Sequence, residues 1–116
     1  MTVNAYFSVG STLVLLLSAL SRKHQTTIQL AAYEPHVMMM IDVMRSAGAQ
    51  ITLRYDHTII VSPSSLVSEV SGRVIADYIV SGTLAVIGAL ASRDFIDIHE
   101  ARIPDLTAFL HVIDRM

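Results

Sequence analysis

The spacing of apolar and polar positions changes several times along the chain, and each change marks an element. Val3–Phe7 alternate, which predicts a short strand. Ser8-Val9-Gly10-Ser11-Thr12 are small residues, and Ser11 or Thr12 suits the cap of a helix. From Leu13 to about Ser21 nearly every position is apolar, which predicts a helix buried on all sides. Arg22, Lys23 and His24 close it, with cations at the negative end of the helix dipole. Thr26, Ile28 and Leu30 alternate with Thr27 and Gln29 and predict a second strand. Tyr33-Glu34-Pro35 open a second helix with proline in its first turn. Along it Val37, Met40, Ile41, Met44 and Ala47 share one face, and Gly48 suits the residue just past its end. Ile51–Tyr55 and Thr58–Ser62 predict a hairpin around Asp56-His57, and Pro63-Ser64-Ser65 forms the clearest boundary.

The second half follows the same plan. Leu66–Ile75 is strand material, and Ser81-Gly82-Thr83 opens a helix to about Ser92. Phe95, Ile96 and Ile98 predict a strand, and Arg102-Ile103-Pro104 leads into a helix through Met116. The letters repeat as well as the order. Pro35–Met44 aligns with Pro104–Ile113, so that Val37, Met40, Ile41 and Met44 match Leu106, Phe109, Leu110 and Ile113. Gly10-Ser11-Thr12-Leu13 resembles Ser81-Gly82-Thr83-Leu84. The predicted fold class is α/β: a single domain over 1–116, with a βαβαββ repeat at 1–63 and a second at 64–116 that lacks its closing hairpin.

Composition and charge narrow the function classes. The chain has 116 residues, enough for one small domain. It is 53% hydrophobic and 16% charged, against roughly 25% charged in average globular chains. That leaves more apolar surface than one small core absorbs. Leu13–Leu20 is too short to span a bilayer and no Lys or Arg precedes it, so a buried helix is expected there and no membrane partner. The net charge is −2 and the basic residues are scattered, which predicts no nucleic-acid partner. There is no cysteine, which removes disulfides, thiolate ligands and a thiol nucleophile from this chain. The histidines show no metal-ligand spacing, and Asp97 with His99 supplies two ligands at most, so no metal and no cofactor is expected.

Four segments carry a resemblance. Phe7-Ser8-Val9-Gly10-Ser11-Thr12 is similar to F-x-S-V-G-A-T of the enolpyruvyl transferase family. Thr26-Thr27-Ile28 with Ala31-Ala32-Tyr33-Glu34-Pro35 is similar to its T-T-x-I-x-N-A-A-R-E-P. Met44-Arg45-Ser46-Ala47-Gly48-Ala49 is similar to L-x-x-M-G-A. Val74-Ile75-Ala76-Asp77-Tyr78-Ile79 with Ser81-Gly82-Thr83 is similar to V-I-P-D-R-I-E-A-G-T. The four stand in register over nearly the whole chain. Tyr33, Tyr78 and Val80 depart from the family's Arg, Arg and Glu.

The resemblance implies a segment of the family's inside-out α/β architecture, about one and two-thirds of its six repeats. It is strongest to the branch that transfers enolpyruvyl from phosphoenolpyruvate to UDP-N-acetylglucosamine in cytoplasmic peptidoglycan synthesis. There the Ser-Val-Gly turn meets the diphosphate, so Ser8, Val9 and Gly10 are the implied substrate-binding residues, with Asp77 as a supporting residue. A helix start with free amides, a hydroxyl and a glycine suits an anion, and it equally suits a plain helix cap. The family's cysteine-bearing loop lies upstream of that turn, and its other catalytic groups come from the second domain. This chain is therefore expected to hold no catalytic residue and to be inactive alone. Two alternatives stand beside this reading. One is a structural, self-assembling module with no ligand. The other is a segment of a relative such as a shikimate transferase or an RNA 3′-phosphate cyclase. The truncated repeat and low charge predict a homo-oligomer.

Overall fold

A computed structural model describes residues 1–67, 69–91 and 95–115 and divides into two compact units, Met1–Arg73 and Val74–Met116. The first unit runs β1 (Thr2–Asn4), α1 (Val9–Leu20), β2 (Thr26–Gln29), α2 (Pro35–Ser46), β3 (Gln50–Arg54) and β4 (Thr58–Ser62). This is the predicted βαβαββ order. Its sheet has the order β1-β2-β4-β3. β1 and β2 are parallel across the α1 crossover, and β4 is antiparallel to both β2 and β3.

Strand alternation sorts this sheet into two unlike faces. Val3, Ile28, Ile59 and Leu53 line up across all four strands through their pairing. Of these, Ile28 and Ile59 are fully buried, and the row packs with Leu16, Val37, Ile41 and Val61 into one core. Each such buried aliphatic side chain contributes about 1.5–3 kcal/mol. The neighbouring row, Thr2, Thr27, Ile60 and Thr52, is mostly polar and lies on the opposite face. α1 and α2 therefore cover one side of the sheet only.

α2 ends as its letters predict. Gly48 stands just past the helix with φ +96°, its N–H donates to Arg45 O at 2.9 Å, and the Ala49 N–H donates to Met44 O at 2.9 Å. These two bonds form the Schellman pattern, with Met44 and Ala49 both in the core.

Four expectations change in this unit. β1 stops at Asn4, and Tyr6 and Phe7 adopt left-handed backbone conformations. α1 starts at Val9 with Ser8 as its N-cap, ahead of Ser11 and Thr12. The hairpin loop has three residues, Tyr55-Asp56-His57, since Arg54 pairs with Thr58. α1 is buried on one face only, through Thr12, Leu16 and Ala19, while Val14 and Leu17 are exposed in this unit.

The second unit holds α3 (Tyr78–Ala91) and α4 (Ile103–Ile113). They meet at Gly82, where a Cβ would stand in ordinary van der Waals contact, 3.4 Å from Leu106 and 3.5 Å from Phe109. Gly88 is covered by the Ile96 side chain, which a Cβ would overlap. The strands expected at 66–75 and 95–98 are irregular among the described residues. A strand needs a neighbouring strand for its backbone groups; at the start of the first segment the Val67 N–H donates instead to Ala47 O at 2.9 Å, at the end of α2. Ser68, Ser92 and Met116, included in the expected elements, lie outside the described residues.

Candidate functional site: the start of α1

Four residues with positive φ meet where β1 and β2 end and the β3–β4 loop turns: Tyr6 (53°), Phe7 (55°), Leu30 (52°) and His57 (57°). Each left-handed non-glycine residue costs on the order of 1–2 kcal/mol and persists only where its surroundings hold it. Here they do. The Phe7 N–H donates to Leu30 O at 2.6 Å, and the Ala31 N–H donates to His57 O at 2.8 Å. The two turned residues at Tyr6 and Phe7 swing the chain from β1 into α1, where the Ser8 N–H donates back to Ala5 O at 3.0 Å.

A helix leaves its first amides without intrahelical acceptors. In α1 the Ser8 hydroxyl accepts from the Ser11 N–H at 3.3 Å. Val9 and Gly10 supply the remaining open amides. Ser8 and Gly10 are exposed, Val9 is half-buried, and no acidic residue lies in the first turn. The buried Thr12 hydroxyl fixes this turn from behind. It donates to Ser8 O at 2.8 Å and accepts from the Ala32 N–H at 3.0 Å. The result is an exposed, positively polarised group of amides with a neutral hydroxyl at its mouth, suited to an anion.

The start of α3 has the same frame and a different charge. The Ser81 hydroxyl donates to Asp77 O at 3.0 Å, as Thr12 does to Ser8. The Asp77 carboxylate accepts from the amides of Ile79 at 2.8 Å and Val80 at 3.4 Å. That helix end is occupied by its own anion. Asp77 thus caps the helix at Tyr78 rather than one opening at Ser81, and it lies in the second unit, whereas Ser8, Val9 and Gly10 lie in the first. The caps also match Ser8 with Asp77 and Thr12 with Ser81. This is the spacing of Pro35 from Pro104, and it differs from the Gly10–Ser81 alignment of the letters.

Aromatic rings stand beside the α1 turn. His57 lies edge-on to Phe7, with centroids 5.2 Å apart, and 4.7 Å from the Tyr33 ring. The Tyr33 hydroxyl lies within donating distance of Arg54 O (2.9 Å) and Thr58 O (3.0 Å). Burial raises its pKa above the ordinary phenol value, and the nearby Asp56 charge adds to the rise. Tyr33 therefore holds the hairpin at a position where the family pattern has Arg. Glu34 stands at the N-cap of α2 but makes no side-chain cap bond.

Sequence reasoning missed two members of this site, Ala32 and His57, and the part that Thr12 plays in it. Thr12 was visible as a cap candidate, though its bond to Ala32 joins segments far apart in the chain. His57 read only as a hairpin residue, and the three-residue loop that places it at positive φ is visible only in the strand pairing. Elsewhere, His99 Nε2 and Asp97 Oδ2 stand 3.5 Å apart on the surface, and Arg102 pairs with Asp105 at 2.8 Å. Among the described residues no three His, Asp or Glu side chains gather as a metal set would require.

Known proteins are similar to this chain in sequence. The sequence profile of EPSP synthase (3-phosphoshikimate 1-carboxyvinyltransferase) matches residues 3–116. The UDP-N-acetylglucosamine 1-carboxyvinyltransferase of Bartonella tribocorum is 35% identical over 108 residues, covering 93% of this chain and 25% of the relative. The enzyme of that name from Chelativorans sp. is 33% identical over the same length and with the same coverage. The Brucella ovis one is 37% identical over 87 residues, covering 75% of this chain and 20% of its own length. The chain thus spans about a quarter of the length of the first curated relatives it matches. With a βαβαββ unit at its front and a profile match running through both units, the chain belongs to the EPSP synthase family.

Proposed function

We propose that this chain is the part of a UDP-N-acetylglucosamine 1-carboxyvinyltransferase that holds the diphosphate of the nucleotide sugar. In this reading the amides of Val9 and Gly10 and the Ser8 hydroxyl bind the anion, and the chain supplies no catalytic residue. The observation that carries it is the contrast between the two helix starts: α1 presents open amides and a neutral cap, while α3 fills the same place with Asp77. The names of the curated relatives support the substrate. The reading extends to a cytoplasmic role in peptidoglycan synthesis. Residues 1–63 and 64–116 are then successive repeats of one domain, the second incomplete, with chains associating to cover its helices. Among the described residues no helix is long and apolar enough to cross a membrane.

The test is a titration with UDP-N-acetylglucosamine followed by amide NMR. Concentration-dependent shifts at Val9 and Gly10 are expected. Their absence at millimolar ligand overturns the assignment. A second reading has one observation in its favour, since the matching family profile takes its name from the shikimate enzyme. Shikimate 3-phosphate in a parallel titration separates the two.

A further inference from the structure

The function of His57 is left open by its position in a surface hairpin, and its bonds give it one. Its backbone carbonyl accepts the Ala31 N–H at 2.8 Å, and its ring Nδ1 stands 2.9 Å from Ala31 O. A carbonyl only accepts, so Nδ1 carries the proton in that bond. Ala31 is thereby gripped at both of its polar groups. The next residue, Ala32, donates its N–H to Thr12, whose hydroxyl donates to Ser8 O. The other edge of the relay is the His57 ring against Phe7, the left-handed residue immediately before Ser8. His57 therefore reaches the anion-binding turn by two routes, one through the Ala31–Ala32 backbone and one through the Phe7 ring. It does so from a left-handed position, φ +57°, where a three-residue hairpin loop ordinarily has glycine. A side chain kept at such a place at a conformational cost must be held by its contacts.

We propose that His57 is a positioning residue for the Ser8–Gly10 turn: it sets the direction of the Val9 and Gly10 amides without touching the ligand. This inference rests on the anion-binding reading above. It uses the Nδ1–H of the ring and not its charge, because the neutral Nδ1–H tautomer and the imidazolium make the same bond.

The chemistry selects the test. An asparagine amide nitrogen stands as many bonds from Cβ as the His Nδ1 does, and asparagine tolerates positive φ. H57N keeps both the bond and the backbone. H57G keeps the backbone alone, and relieves it. The probe is inorganic pyrophosphate, followed by amide NMR on the whole chain, with the methyl signals of Ile28 and Ile59 reporting the core. With the core signals unchanged, H57G is expected to displace the Val9 and Gly10 amide resonances before any ligand is added. It is also expected to weaken pyrophosphate binding about tenfold, the upper range for one net hydrogen bond. H57N is expected to recover most of that affinity. H57G binding as tightly as wild type, with unshifted Val9 and Gly10 amides, overturns the proposal. So does failure of H57N to do better than H57G. If wild type itself gives no response to pyrophosphate, the anion reading falls and takes this inference with it. That result is distinct from the previous two, in which wild type binds.

Discussion

At the scale of single residues, hydroxyls at the two helix starts act as structural ties whose worth can be measured. Ser8→Ala removes the bond to the Ser11 amide and is expected to cost about 1 kcal/mol, the usual value of an N-cap, as read by chemical denaturation. Thr12→Val keeps the shape and deletes both hydroxyl bonds, leaving the buried Ala32 N–H without its acceptor. It is expected to cost about 1–3 kcal/mol, more than S8A, in the same measurement. Tyr33 makes a prediction about pH. Its pKa is higher in the folded chain than in the unfolded one, so the folded state holds the phenolic proton more tightly. The stability this confers is present below the unfolded phenol value of about 10 and is lost as pH rises through the folded value. Tyr33→Phe is therefore expected to flatten the alkaline arm of the stability curve above pH 10, recorded by circular dichroism. An unchanged arm would assign that loss to other groups.

At the scale of elements, what the letters disclosed and what they concealed divide along a physical line. Local chemistry was legible. Pro35 at the start of α2 and Gly48 past its end each act within one turn of chain, and both stand where their types require. β2 was legible from the alternation of Ile28 with Thr27 and Gln29, since one face of that strand meets the core, and β4 from its apolar run Ile59-Ile60-Val61. The strand predicted at Phe95–Ile98 shows the opposite case. Its apolar residues suit a strand, yet pairing is a property of two segments, and the letters of one say nothing of the other. The start of α1 falls between these. Small residues marked its neighbourhood, but Ser8 rather than Ser11 caps it, because the left-handed pair Tyr6 and Phe7 delivers the chain there. Gly48 offers an element-scale test. A Cβ at that residue would stand 2.9 Å from Ser65 O and would also carry positive φ, so Gly48→Ala is expected to destabilise the first unit by about 1 kcal/mol or more in thermal denaturation.

At the scale of the whole molecule, the apolar surplus resolves into particular side chains. α3 exposes Ile79 at 61%, Ile87 at 54% and Leu90 at 80%, and α1 exposes Val14 at 62% and Leu17 at 52%. Surfaces of this kind on low-charge chains favour association. Sedimentation is expected to show species larger than one chain, growing with concentration; a clean monomer at high concentration would sink that expectation. The proposed anion site, too, has a molecular-scale consequence, which lies in the kinship of the two caps. Ser8 and Asp77 sit at helix starts of the same construction, braced by the same hydroxyl-to-carbonyl bond, and differ by one formal charge. One sample thus contains its own blank. In any anion titration the Ile79 and Val80 amides report what a helix end does when its place is already taken. A shift common to both helix starts is bulk ionic strength, and only the excess at Val9 and Gly10 counts as recognition.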